Sequence, residues 1–247
     1  MSTWHDTDRF WHDFHDVMFH RRRWEQAEEE ADDILALAGI VTDAALLDMC
    51  CGPGRHALAF ARRGLTVTGV DRTETYISQA QGRASEAGIE ARFVVGDARA
   101  YREPERYDAA VCLYTSFGYF EDPEDDLLLL KNVCDSLKPG GVFVIDMNGK
   151  EVSARAFKGR AWDDLEDGSR LLEHRTVVPD WEWIENEWVL LKDGEQTTDT
   201  FRVRMYSGVE LKKVLGQAGF GSVSLHGDWS GTPYDDHARR LIAVARK

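Results

Sequence analysis

The stretch Leu46 to Gly64, LLDMCCGPGRHALAFARRG, constrains the fold more than any other part of the chain. An apolar run, Ala44 to Met49, has the length and character of a buried strand. Cys50-Cys51-Gly52-Pro53-Gly54 interrupts it. A helical pattern then begins, with Ala57, Leu58 and Ala61 on one side and Arg62-Arg63-Gly64 as a basic last turn and stop. Strand, glycine turn and helix in that order bring backbone N–H groups up against a ligand. Gly52 and Gly54 allow a sharp bend and close approach, and Ala57 takes a third small position where helix and strand pack. A structural C-cap or hairpin would use the same glycines, so the turn alone does not decide between them. The next strand, Leu65 to Val70, ends in Asp71, about 20 residues past the first glycine, where a carboxylate can accept from two ribose hydroxyls. A helix N-cap onto Thr73-Glu74 would also favour an acid there. The third strand, Ala91 to Val95, ends at Gly96-Asp97 and repeats the arrangement one strand over.

Length and charge bound the remaining choices. A chain of 247 residues with 43% apolar content suits one large α/β domain or a domain with an insertion, and no apolar run approaches membrane-spanning length. The formal charge of −14 would repel a phosphate backbone, so nucleic acid is a poor partner, and Arg21-Arg22-Arg23 is too short a basic cluster to reverse that. Met1 to His20 is polar and rich in Asp and His, unlike a signal or transit peptide. The cysteines, Cys50, Cys51, Cys112 and Cys134, lack metal-ligand spacing and are expected to be reduced thiols in a cytoplasmic protein.

From the N-terminus, Phe10, Phe14 and Val17 fall at helical spacing, and Trp24 to Gly39 predicts a second helix, acidic early and apolar late. His12 and His15 are three apart and could share a metal, or could simply lie on a solvated helix face; no fourth ligand is fixed by spacing, so no metal is expected. Thr73 to Gly88 is a helix, Tyr107 to Leu113 a fourth strand, Pro123 to Leu137 a helix and Val142 to Met147 a fifth strand. Strands alternating with helices of this length predict a parallel sheet wound on both sides. The pattern then changes. Leu171 to Val178, Trp181 to Leu191 and Thr197 to Tyr206 have strand character, with Asp193-Gly194 as a hairpin signal, so an antiparallel insertion of three or four strands is expected. Ser207 to Gly219 resumes the helical pattern, and Phe220 to Trp229 and Leu241 to Arg246 supply two last strands.

In succession, Leu47-Asp48-Met49-Cys50-Cys51-Gly52-Pro53-Gly54-Arg55-His56, Val67-Thr68-Gly69-Val70-Asp71, Gly96-Asp97-Ala98-Arg99 and Leu137-Lys138-Pro139-Gly140-Gly141 resemble the ordered motifs of class I S-adenosylmethionine (SAM)-dependent methyltransferases. Any one motif would be weak; four in order and spacing are specific, and the terminal strand pair is similar too. In the layout of its parts the chain resembles the small-molecule members. The resemblance implies an α/β fold: a doubly wound, mostly parallel seven-stranded sheet, Rossmann-like, with N-terminal helices and an antiparallel β insertion before the last helix. The corresponding divisions are an N-terminal helical cap at 1–43, a SAM-binding domain at 44–150 and 207–247, and the insertion at 151–206, serving as a lid or as the surface of a homodimer.

It also implies roles. Asp48, Cys50, Gly52 and Gly54 would surround the methionine part of SAM, Asp71 would bind the ribose hydroxyls and Arg72 would lie along the adenine. Asp97 would accept from the adenine amino group beside the Ala98 N–H, and the Leu113 carbonyl would take the ligand's ammonium. Phe19 would cover SAM and Arg23 would pair its carboxylate, although Arg23 also reads as an ordinary surface charge. SAM carries its own leaving group, so transfer to an N or O nucleophile needs in-line alignment and exclusion of water more than a dedicated base. Tyr119, after strand four, is the preferred substrate-side residue, weighed against hydrophobic packing with Phe117 and Phe120; His20 is the second catalytic candidate. Asp146, Asn148, Tyr206 and His237 are weaker candidates. A nicotinamide-dependent oxidoreductase would share Gly52, Gly54, Ala57 and Asp71 but would not explain Asp97 or Lys138-Pro139-Gly140-Gly141. A SAM-binding regulatory subunit without turnover would keep both acids. The expected product is S-adenosylhomocysteine (SAH), the expected partner a small molecule, and no membrane contact is expected.

Overall fold

The computed structural model describes residues 4–247; Met1, Ser2 and Thr3, the start of the expected cap, lie outside the described residues. Three short-to-medium helices come first, α1 (Asp8–Asp13), α2 (His15–Met18) and α3 (Arg21–Ala38). Strands and helices then alternate as β1 (Ala45–Met49), α4 (Arg55–Arg62), β2 (Thr66–Asp71), α5 (Glu74–Ala87), β3 (Arg92–Val95), β4 (Tyr107–Cys112), α6 (Pro123–Ser136) and β5 (Leu137–Met147). A short helix, α7 (Lys150–Ala156), leads into β6 (Arg160–Asp164), β7 (Arg170–Val177), β8 (Trp183–Lys192) and β9 (Glu195–Arg204). Helix α8 (Gly208–Gln217) and strands β10 (Ser222–His226) and β11 (Leu241–Arg246) complete the chain.

The larger sheet has the order β10-β11-β5-β4-β1-β2-β3, parallel except for β11, which runs antiparallel to both its neighbours, and the smaller one runs antiparallel as β6-β7-β8-β9. Apolar residues cover both faces of the larger sheet, as its near-continuous apolar strands require. Successive side chains point oppositely, so Leu47 and Met49 join Leu129, Leu130 and Phe143 on one side, while Leu46 joins Ala57, Leu58 and Phe60 on the other. The chain leaves β1 toward β2 on one side, and β4 lies on the other. At such a reversal of strand order the carboxyl ends open into a crevice.

Three details depart from the sequence expectation, and the insertion follows it. The pattern over residues 9–20 breaks at Phe14, fully buried against Phe10 and Trp188, so one expected helix becomes α1 and α2. Strand β5 starts at Leu137, ahead of Lys138-Pro139-Gly140-Gly141, because Leu137 already pairs with Tyr107 and the register resumes at Ala109 with Val142 across an irregularity. Helix α7 carried no clear signal in the sequence. The insertion has four strands, and its Asp193-Gly194 turn places both residues at positive φ, 52° and 82°, as a two-residue hairpin of type I′ demands.

The smaller sheet is tied to the larger one through the loop after β4. The Arg204 N–H donates to the Gly118 carbonyl at 2.6 Å, and its Nη2 donates to the Glu121 carbonyl at 2.8 Å. Beneath them Asp126, fully buried on α6, accepts from the Tyr206 hydroxyl at 2.8 Å and pairs with Arg204 Nε at 3.4 Å. Gly118 has φ +91, and a Cβ built there would stand 2.5 Å from the Arg204 carbonyl oxygen. Gly118→Ala therefore combines a forbidden conformation with a backbone collision. Urea melts are expected to show a loss of about 2 kcal/mol or more, and an unchanged midpoint would contradict this account of the junction.

Candidate active site

At the crevice, the tips of β1, β2 and β3 converge. A cavity of about 110 Å³ is lined by Cys50 and Gly52 from the first tip, Asp71, Arg72 and Thr73 from the second, and Gly96, Asp97 and Ala98 from the third. Trp11, Phe19, Tyr119 and Phe120 contribute aromatic walls. The Asp71 carboxylate accepts from the Gly52 N–H and from the Thr73 N–H, each at 2.8 Å. The local structural reading of Asp71 and the cavity-facing one thus hold together: one carboxylate orders the glycine turn and the start of α5 while lining the cavity.

The two turn glycines have different tasks. Gly52 lines the cavity at φ +54, and a Cβ there would sit 3.0 Å from the Phe19 ring, so the space is already taken by the aromatic cover. Gly54, expected at the ligand, lines neither this cavity nor the larger cleft among the described residues. Its Cβ would lie 2.9 Å from the Ala80 Cβ, so smallness there serves the packing of α4 against α5. Arg72, expected along the adenine, reaches the cavity edge but donates to the His5 and Asp6 carbonyls at 2.5 and 2.7 Å. Asp97 is clamped by Arg99, whose Nη2 lies 2.6 Å from Oδ2 and whose N–H donates to Oδ1 at 2.8 Å.

A larger cleft of about 840 Å³ adjoins the first and shares Trp11, Phe19, Cys50, Gly52, Ser116 and Tyr119 with it. Asp48, Leu113, His20 and Arg23 open onto this cleft. Its far wall is the inner face of the smaller sheet, where Ile184, Val203 and Met205 surround Asn186 and the Glu173–Arg175 ion pair. Tyr119 packs against Trp4 at 4.8 Å and Trp11 at 6.2 Å, where Phe117 and Phe120 were expected, and it lines both spaces. His20 lies at the start of α3 with Nδ1 buried and without a hydrogen-bond partner.

Among the weaker candidates, Asn148 lines the cleft and accepts from Arg240. Asp146 is buried in a bidentate pair with Arg240 at 2.6 and 2.7 Å and also accepts from the Tyr114 N–H, so it supports the loop after β4. Tyr206 and His237 line neither space: the first is committed to Asp126 and the second is exposed. His12 is exposed beside Asp13, whereas His15 packs against Phe19 and Tyr76, and among the described residues no group of three metal-ligating side chains gathers anywhere. No helix of the described residues is long and apolar enough to cross a membrane.

Sequence reasoning missed a polar cluster at the floor of the cleft. Glu30 on α3 accepts from the Tyr114 hydroxyl at 2.7 Å and lies 3.1 Å from His56 Nε2. Arg55 stacks on the Tyr114 ring at 4.0 Å. Tyr114 and Thr115 both have positive φ, 59° and 62°, a conformation costing about 1–3 kcal/mol per residue that persists only where its surroundings hold it. Here Asp146 and Glu30 hold it. The available sequence signal was the pair Arg55-His56, polar residues where α4 should start burying its first turn.

Burial dominates the site's electrostatics. It pushes the Asp48 carboxyl up to about 7, with the Asp71 charge adding to the shift, and it also raises Asp71 despite that residue's backbone hydrogen bonds. Hydrogen bonds from Arg99 hold Asp97 below the usual carboxylate range. Burial lowers His20, favouring a neutral ring, and raises the Tyr119 phenol.

Comparison with known proteins places a methyltransferase domain family on residues 46–141. An N,N-dimethyltransferase of dTDP-3-amino-3,4,6-trideoxy-alpha-D-glucopyranose from Streptomyces venezuelae is 29% identical over 52% of this chain and 54% of its own. A ubiquinone biosynthesis O-methyltransferase from Pseudomonas fluorescens is 32% identical over 59% of this chain and 58% of its own. The chain thus spans a little over half the length of each of these two relatives. The crystal structure of a SAM-dependent methyltransferase from Clostridium acetobutylicum superposes with a TM-score of 0.76 over 97% of this chain and 98% of that one at 17% identity, a likeness of fold.

The Asp48 shift predicts a pH effect. A folded-state value near 7 means that the fold keeps a proton which the unfolded chain loses near pH 4. The stability this gives is full below the unfolded value and is lost as pH rises through the folded one. Across about pH 5 to 8, wild-type protein is expected to lose stability relative to Asp48→Asn, measured by urea melts of the ligand-free protein. Parallel curves for the two would show that Asp48 is ionised in the fold throughout.

Proposed function

We propose that the chain, whose residues 46–141 match a methyltransferase domain family, is a class I SAM-dependent methyltransferase whose acceptor is a nitrogen or oxygen nucleophile of a small molecule. One observation carries the reading: a small cavity between carboxylate-bearing strand tips and a larger cleft meet at a neck formed by Cys50, Gly52, Ser116 and Tyr119. The cleft volume lies in the range of small-molecule sites. The two relatives support both arms of the proposal, one being named for an amino sugar and the other for ubiquinone biosynthesis.

The residues present fit the cofactor. Two strand tips offer carboxylates to one cavity, and the side-chain-free Gly52 faces it under the Phe19 ring. Asp71 would take the ribose hydroxyls, and Asp97, with the Ala98 N–H, the adenine edge. Asp48, Cys50, Gly52 and the Leu113 carbonyl would flank the methionine part, beneath Phe19. When bound, SAM supplies a methyl group on a sulfonium, open to in-line displacement. The protein's own part is to align, to exclude water and to orient the acceptor. Aromatic side chains at the neck keep water out, and the Tyr119 hydroxyl there orients the nucleophile. His20, neutral at the cleft wall, is placed to accept a proton from the acceptor. The smaller sheet acts as the lid over the cleft; its exposed Trp162 edge is the surface through which a homodimer would form.

Purified protein is to be incubated with SAM and a panel of amino sugars, other amines, phenols and hydroxy acids, with SAH and methylated product followed by mass spectrometry. The expected result is SAH formed in step with one methylated acceptor class. SAH no higher than in the acceptor-free control across every class, despite measurable SAM binding, would overturn the small-molecule reading. With the acceptor found, Tyr119→Phe is expected to lower kcat about 10-fold while SAH affinity stays within about 2-fold. Asp97→Asn is expected to weaken SAH binding by about 10-fold.

A further inference from the structure

Arg55 is the first residue of α4, directly after the glycine turn, and only 5% of it is exposed. A guanidinium keeps its charge in proteins, so burying one leaves a cation that needs a partner. The other deeply buried arginine in the fold has one: Arg204 pairs with Asp126 and Glu182. Arg240, beside Arg55 at the cleft, is matched by Asp146. Arg55 forms no ion pair among the described residues. Its Nε is buried without a hydrogen-bond partner, and its Nη1 makes a single long contact of 3.4 Å to the Arg23 carbonyl.

The nearby acids attract it from a distance without forming an ion pair with it. Glu30 is turned to His56 and Tyr114, and burial holds the Asp48 carboxyl partly protonated at neutral pH. The closest charge of the same sign is Arg23, which also lacks an ion pair among the described residues. Both guanidiniums lie over the Tyr114 ring, Arg55 at 4.0 Å and Arg23 at 5.2 Å. Arg240 is a third guanidinium over that ring, at 5.6 Å, but it is paired with Asp146, whereas Arg23 and Arg55 repel each other with no anionic side chain of the described residues between them. Arg55 lines the cleft on the side of Asp48, Gly52 and Phe19, where its guanidinium also lies 5.9 Å from the Phe19 ring, the ring that covers Gly52.

We propose that Arg55 is the buried counter-ion for the carboxylate of SAM, with Arg23 closing the same seat from the rim. The inference rests on the methyltransferase reading and adds to it a residue from the glycine turn itself: the turn presents its backbone to the ligand and then, one residue on, the charge that anchors the ligand's far end. The carboxylate could instead belong to the methyl acceptor, and the ligand pair below separates the two sources.

The test measures binding by calorimetry, with the KM of the methyl acceptor as a second readout. Two ligands are compared, SAH and its decarboxylated analogue, which keeps the adenosine, thioether and amine. Wild-type protein is expected to prefer SAH; Arg55→Met is expected to weaken SAH roughly 10- to 100-fold while the analogue changes by less than about 3-fold. Arg55→Lys, which keeps a charge and guards against a variant that fails to fold, is expected to fall between them. Equal weakening of both ligands would overturn the assignment, as would no weakening of either. Unchanged SAH binding with a raised KM for a carboxylate-bearing acceptor would move the anion to the acceptor and overturn it too. Wild-type protein binding neither ligand would instead sink the methyltransferase reading beneath it.

Discussion

The carboxylate of Asp71 holds together three pieces of backbone that have no other reason to stay in register at the open end of the sheet. Its oxygens take the Gly52 N–H and the Thr73 N–H, so the turn after β1, the tip of β2 and the start of α5 move as one body. One lone pair on each oxygen is spent on an N–H group that would otherwise be left unpaired near the floor of a cavity, a loss of about 1–3 kcal/mol each. Burial disfavours the charge on Asp71 and the backbone donors favour it, and the raised titration shows which is larger. A cationic or hydroxyl-rich ligand arriving beside it would supply donors to the remaining lone pairs. The geometry of the first wall of the site is therefore fixed before any ligand binds.

The second wall is built with strain. Tyr114 and Thr115 take left-handed backbone, and the loop they open is held by charges placed beneath it. Asp146 receives the Tyr114 N–H and is itself gripped by Arg240, while Glu30 fixes the Tyr114 hydroxyl from the N-terminal helix α3. Gly118 and Asp126 carry the same loop across to the smaller sheet. The loop that bears Tyr119 thus depends on the helical cap, on the core of the larger sheet and on the insertion at once. Parts distant in sequence meet there.

The sheet was legible because periodicity reports burial. Leu241 to Arg246 forms a strand with the bounds expected, and Asp193-Gly194 turns where a hairpin needs two residues at positive φ. The convergence of Gly52, Asp71 and Asp97 on one cavity followed from three strands ending at the same edge. What could not be read is whatever depends on contacts between distant segments. Gly54 looks like a ligand glycine in the sequence, and only the position of Ala80 shows that it serves packing. Phe14 breaks a helix for the sake of Trp188, some 170 residues later. Glu30 and His56 read as ordinary helix residues until α3 and α4 are laid side by side over Tyr114. Arg55 stood inside the most informative stretch of all, but its want of a partner is a property of three dimensions.

Arg72 holds the carbonyls of His5 and Asp6, and Trp11 from the same N-terminal segment forms a wall of the smaller cavity. That segment lies as a strap along the edge of the cavity. A ligand seated beneath it would be held in by a few hydrogen bonds that the strand tips do not supply, so how long it stays and how tightly it binds would be set by different parts of the chain.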